Sequence, residues 1–207
     1  MQGSTIDPSK TVLNYHHAVE ESHGHGEHPD HRLTGVIVFL IAESMIFLGL
    51  FTAYLAFRVT APTWPPAGTP RLELLLPGIN TIILISSSFV AHNADTAIKK
   101  NDVQGLRKWF ALTALMGVIF LAGQVYEYLH LEFGLTTNIF ASTFYVLTGF
   151  HGLHVTFGVI LLLAVLWRSL KADHYSSEHH FGVEAAELYW HFVDVVWIVL
   201  FLLLYIL

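Results

Sequence analysis

The sequence predicts an all-α, polytopic membrane protein: a bundle of five transmembrane helices with its N-terminus inside and its C-terminus outside. Three observations carry that reading. The 207 residues are 54% hydrophobic and only 13% charged, about half the roughly 25% charge of a soluble domain. The mean hydropathy is +0.54. Apolar runs long enough to cross a bilayer, about 20 residues each, recur at about 33–58, 72–98, 109–130, 140–168 and 183–207.

In chain order, residues 1–32 come first as a polar segment without an apolar h-region, so no cleavable signal peptide is expected. Within it, 23-HGHGEHPDH-31 is rich in imidazole, but its Gly and Pro deny it a preorganised metal site. It reads as a flexible, His-rich cytoplasmic tail. The five spans that follow, residues 33–207, form one domain. They are joined by the Pro-rich 59-VTAPTWPPAGTPR-71, the charged turn 99-KKNDVQGLRK-108, 131-LEFGLTTN-138 and 169-SLKADHYSSEHHF-181.

Loop charge sets the orientation. Lys10, Arg32, Lys99, Lys100, Arg107, Lys108, Arg168 and Lys171 fall on one side, and only Arg58 and Arg71 on the other. The side with more positive charge is expected inside. Cysteine is absent, which excludes disulfides and thiolate metal sites. No nucleic-acid partner is expected.

Ionisable groups inside the spans carry the functional signal. At 1.5 Å of rise per residue, Glu43 lies near the middle of the first span, His151 and His154 near the middle of the fourth, and Asp194 near the middle of the fifth. His191 sits one turn nearer the inside, and Glu184 and Glu187 near the inner interface. Positions 184, 187, 191 and 194 share one helix face, so a polar seam can turn inward while Val195, Ile198 and Leu202 meet other surfaces. A charge at the bilayer centre costs roughly 2.5–3.5 kcal/mol, so these groups are expected to face the bundle. Gln124, Glu127 and His130 approach the outer interface, and His92, Asn93 and Asp95 the inner one. Gly149, Gly152 and Gly158, with Ser86, Ser87 and Ser88, are expected to let helices approach closely.

Two readings stand for Glu43: proton handling or partner binding, and a protonated carboxyl hydrogen-bonded to a neighbouring helix. Glu127-x-x-His130 and His151-x-x-His154 have spacings used in di-iron bundles. The spans hold one Glu-x-x-His pair, however, where a di-iron site wants two. A stand-alone metalloenzyme is therefore the lesser reading, and no metal ligands are assigned. Arg168, Lys171 and His174 form a basic cluster beyond the fourth span, which fits either a lipid headgroup or plain topology. A transporter using Glu43 as a relay would want repeat symmetry or broken helices, and neither is apparent.

Longer motifs narrow the choice. The segments 142-STFYVLTGFHGLHV-155 and 179-HHFGVEAAELYWHFVDVVW-197 resemble the hallmark motifs of subunit III of haem-copper cytochrome oxidases. The stretches 41-IAESMIFLGLFTAY-54, 76-LPGINTIILISSSFVAH-92 and 124-QVYEY-128 resemble the same family, in order. The resemblance covers nearly everything from Arg32 onward, in the short five-helix bacterial form. Longer members carry seven helices, and the first two have no counterpart here. Glu187 and Leu188 stand where longer relatives often have small and aromatic residues.

The resemblance implies a subunit with no catalytic residue, haem or copper of its own, beside a subunit I that reduces dioxygen. It implies contact with subunits I and II, cytochrome c as donor to a proton-translocating complex, and bound phospholipid. It also implies support for proton uptake and residence in a bacterial plasma membrane or other energy-transducing membrane. Glu43 corresponds to the family's intramembrane carbodiimide-reactive glutamate, and Arg168, Lys171 and His174 match its lipid-headgroup region. A quinol oxidase subunit III, or its nitric oxide reductase-associated homologue, is the alternative within the family.

Overall fold

The computed structural model describes residues 31–70, 72–171 and 174–207. The His-rich tail as far as Asp30, and Arg71, lie outside the described residues. Five helices account for the rest: α1 (His31–Thr60), α2 (Leu75–Lys99), α3 (Val103–His130), α4 (Ile139–Ser169) and α5 (Phe181–Phe201), which ends in a π-helical turn at Leu202–Ile206. All five are long and apolar enough to cross a membrane. At 25 to 31 residues, α1 to α4 outrun a hydrocarbon core about 30 Å thick, so their ends reach into the headgroup layers.

Most helix ends fall within two or three residues of the hydropathy boundaries. The exception is α3, which begins at Val103 although the sequence reads as a charged turn up to Lys108. Asp102 caps it by accepting the Gly105 N–H at 2.8 Å. Hydropathy marks where apolar surface starts, whereas a cap marks where a helix starts. The α2–α3 turn shrinks to Lys100–Asp102, with Asn101 at φ +58°. Asn is among the few non-glycine residues that adopt this left-handed conformation readily. The Asn101 Oδ1 also accepts the Ser177 N–H at 2.7 Å, tying that turn to the α4–α5 connection.

Helices α2, α3, α4 and α5 close a four-membered ring, and α1 lies outside it against α4 and α5. The difference is written in the buried positions. In α1 only Leu40, Phe47 and Tyr54 are buried, seven residues apart, which makes one narrow stripe. Its far end is tied down by Tyr54 Oη, which donates to Leu203 O at 2.9 Å, and by Arg58, which donates to Leu207 O.

The ring is centred on α5. Trp190, fully buried, donates its indole N–H to Ser87 Oγ on α2 at 2.8 Å. Its ring occupies space that only glycine leaves open on the other two helices. A Cβ at Gly117 of α3 would stand 2.5 Å from Trp190 Cη2, and one at Gly158 of α4 would stand 2.8 Å from Cε3. One heptad along, Trp197 donates to Thr81 Oγ1 at 2.9 Å and meets the Phe120 ring edge-on at 4.8 Å.

Gly158 is thus the spacer the sequence suggested. Gly152 is not, since a Cβ there would meet nothing within 4 Å. Ser87 and Ser88 act as hydrogen-bonding partners of α5. Gly158→Ala is expected to cost about 1–3 kcal/mol by overpacking. Gly152→Ala should change stability by no more than about 0.5 kcal/mol. Unfolding of both variants in detergent by denaturant titration checks the contrast.

Candidate functional site

The polar groups of the spans gather into three separate clusters, each joining different helices. The first joins α1 to α4. Glu43 Oε2 lies 3.2 Å from His154 Nε2, and His154 Nδ1 lies 2.8 Å from Phe150 O. A carbonyl only accepts, so Nδ1 carries a hydrogen. Nε2 is thus the ring nitrogen that faces Glu43, and the contact joins α4 to α1. The His154 ring is packed by Phe47 at 4.9 Å and Phe150 at 4.7 Å, and Tyr189 donates to its carbonyl. An apolar groove of about 550 Å³ runs over this pair, bordered by Phe39, Ile46, Leu153 and Phe157.

The second cluster is the seam between α2 and α5. Glu187 Oε1 stands 3.0 Å from His92 Nδ1 and 3.3 Å from His191 Nε2. His191 Nδ1 is 3.0 Å from Ser88 Oγ, and Ser88 donates to Asp194 Oδ2. Asp194 is 3% exposed, whereas the His92 side chain is 66% exposed. Beside the exposed end, Lys99 holds Asp95 at 2.6 Å and His180 lies 3.2 Å from Glu184. The four acidic and imidazole positions predicted on one face of the last helix do share it, while Val195, Ile198 and Leu202 are exposed.

The third cluster, at the opposite end, was not singled out as a site by the sequence. Glu127 is buried and accepts from Gln124 Nε2 at 3.0 Å and from Tyr205 Oη at 2.9 Å. The spacing of Gln124 and Glu127 could have hinted at it. Tyr205, 78 residues away, could not have been paired with them from one chain.

His151 joins none of these. It is wholly buried between Trp197 at 4.9 Å and Phe120 at 5.9 Å, so equal depth does not make the mid-span groups one network.

The structure brings Arg168, Lys171 and His174 to one hollow of about 360 Å³, with Trp167 and Leu170. Arg168 Nε donates to His174 Nε2 at 2.9 Å. On its other side Arg168 borders an apolar cleft of about 330 Å³ between α1, α4 and α5. Tyr175 lines that cleft. Burial pushes its phenol above the usual tyrosine range, and the nearby Arg168 guanidinium opposes the rise. Phe39, Leu161 and Tyr189 border both this cleft and the groove over Glu43 and His154. The basic hollow and the cleft thus meet at Arg168, and the cleft adjoins the groove along a shared wall to make an apolar trough.

Two sets of side chains among the described residues have the spacing to hold a cation: His92, Asp95 and Glu187, and Asp95, His180 and Glu184, with donor atoms within 4.8 Å. Lys99 already brings a positive charge to Asp95.

Comparison with known proteins supplies the family. Residues 9–207 match the family model described as cytochrome c oxidase subunit III. The chain is 70% identical, over its whole length and 91% of the relative's, to cytochrome c oxidase subunit 3 of Synechocystis sp. (strain ATCC 27184 / PCC 6803 / Kazusa). It is 59% identical to that of Thermostichus vulcanus, over all of this chain and 98% of the relative. Against the Aedes aegypti protein of the same name it is 41% identical over 83% of this chain and 67% of the relative. The chain belongs to the cytochrome c oxidase subunit III family, and so forms part of a membrane-embedded oxidoreductase complex.

Proposed function

We propose that the chain is the non-redox third subunit of a haem-copper oxidase that passes electrons from cytochrome c to dioxygen and translocates protons. In this reading it packs directly against subunit I, lies near subunit II, steadies subunit I during turnover and supports its proton uptake. Haem and copper reside in the partner subunits. The end of the bundle carrying Lys99, Arg107 and Arg168 faces the inside of a bacterial plasma membrane or other energy-transducing membrane, where the excess of positive loop charge belongs.

The observation that carries the reading is the trough. Its basic hollow at Arg168, Lys171 and His174 suits a phosphate at headgroup depth, and its apolar walls suit acyl chains descending towards Glu43 and His154. A phospholipid seated there would cover the gap that the narrow contact stripe of α1 leaves beside α4. The partner-subunit role is supported by two imidazoles that bridge helices. Both nitrogens of His154 and of the part-exposed His191 are engaged by protein groups, as expected of side chains that join helices. The Glu43–His154 pair places a carboxyl and an imidazole in contact at mid-membrane, which fits a role beside a proton-consuming catalyst.

The lipid assignment predicts that Arg168→Ala combined with Lys171→Ala lowers phospholipid retained by the purified complex, with the subunits still associated. Native mass spectrometry in mild detergent measures both, and unchanged lipid content contradicts the assignment.

The role of Glu43 predicts a split between two variants. Glu43→Gln keeps a donor for His154 Nε2 and should leave assembly intact. Glu43→Leu leaves that nitrogen unpaired and should cost about 1–3 kcal/mol. If Glu43→Gln and Asp194→Asn complexes both match the parent in assembly, proton uptake and turnover lifetime, the supporting role is wrong. Co-purification of a haem-copper subunit I with the full chain tests the subunit assignment itself.

A further inference from the structure

We infer that the α2–α5 seam is a proton-conducting chain that connects the aqueous edge of the bundle to Asp194 at its centre, so that this subunit stores an exchangeable proton of its own. The inference rests on the oxidase-subunit reading only for where the proton is used. The conducting path stands on geometry within this chain.

The links are continuous. His92 is exposed at one end, and its Nδ1 lies 3.0 Å from Glu187 Oε1. The same oxygen is 3.3 Å from His191 Nε2. The second nitrogen of that ring is 3.0 Å from Ser88 Oγ, which donates to Asp194 Oδ2. Every member accepts and releases a proton at ordinary hydrogen-bonding atoms. The His191 ring has the two-nitrogen geometry a relay needs, taking a proton on one side and releasing another from the other. From Glu187 to Asp194 the path climbs seven residues of α5, roughly 10 Å at helical rise.

The balance of one passage is simple. Water at His92 Nε2 gives up a proton, and His92 releases its Nδ1 proton to Glu187. Glu187 passes one to His191 Nε2, His191 releases its Nδ1 proton to Ser88, and Ser88 hands its hydroxyl proton to Asp194. One bond to hydrogen breaks and one forms at each link. The net change is one proton lost by bulk water and one gained by the Asp194 carboxylate.

Neighbouring charges sit at the entrance. Asp95 is neutralised by Lys99 at 2.6 Å, and Glu184 is paired with His180 at 3.2 Å. They flank His92 and Glu187 without interrupting the chain. The blind end has a different character: Asp194 is 3% exposed, and its second oxygen, Oδ1, has no hydrogen-bond partner among protein groups. A structural seam needs neither a solvent-exposed imidazole at one end nor a half-satisfied carboxylate at the other. A proton store needs both.

The test follows hydrogen–deuterium exchange of one carboxyl in the assembled complex. Infrared spectra of the parent and of Asp194→Asn identify the carboxylic C=O band of Asp194. The rate at which that band shifts on transfer to heavy water is then measured. Ser88→Ala and His191→Phe each remove a link and should slow the exchange at least about tenfold, a barrier increment of about 1.4 kcal/mol. Ser88→Thr retains the hydroxyl and should restore it. His92→Ala removes the entrance imidazole and its contact with Glu187, and it should also slow the exchange.

Exchange at the parental rate in His92→Ala, or in assembled Ser88→Ala and His191→Phe, overturns the proposal. So does the lack of any band sensitive to Asp194→Asn over the pH range in which the complex stays assembled. Neither result touches the subunit assignment, which fails only if no haem-copper partner co-purifies.

Discussion

One indole ring holds the bundle together. Trp190 donates to α2 through Ser87 and lies over the bare backbones of α3 at Gly117 and α4 at Gly158, so a single α5 side chain sets the spacing of all four ring helices. In a bilayer this matters more than it would in water. Lipid tails are as apolar as Leu or Val, so burying such side chains between helices gains little, and close packing with interhelical hydrogen bonds does the work instead. Trp190 supplies both. Trp197 with Thr81 repeats the arrangement one heptad on, and α1, which has no such anchor, remains peripheral.

Once the ring is spaced this way, its polar groups sort by helix pair. The α2–α5 contact accommodates a row of acids and imidazoles because α2 offers Ser88 and His92 at the right heights. The α1–α4 contact holds a single carboxyl–imidazole pair under an apolar groove. The far end keeps Glu127 between Gln124 and Tyr205. Unpaired, each of these carboxylates would cost several kcal/mol in hydrocarbon. Paired, they fix which helix face meets which.

Much of this was legible in the sequence, for identifiable reasons. Five apolar runs give five helices because the bilayer constrains length and composition together. The inward seam of Glu184, Glu187, His191 and Asp194 follows from helical spacing alone. What spacing cannot give is the partner across the interface. Glu43 and His154 could be placed at one depth, but so could His151, which turned out to be packed between aromatic rings and bonded to neither. Tyr205 carried no signal, and Ser88 read only as a small packing residue, until the fold brought them to Glu127 and Asp194. The start of α3 was misplaced because charged residues beyond an Asp cap look like loop to any hydropathy argument. The trough above Glu43 is lined from α1, α4 and α5 together, so it appears only in three dimensions.

The dependence of the whole bundle on Trp190 is tested most directly by a double-mutant cycle for unfolding in detergent, using Trp190→Phe, Ser87→Ala and the pair. The interhelical hydrogen bond predicts a coupling energy of about 0.6–1.7 kcal/mol, the range measured for such contacts in membrane bundles. Two single effects that simply add, with no coupling, would contradict the account.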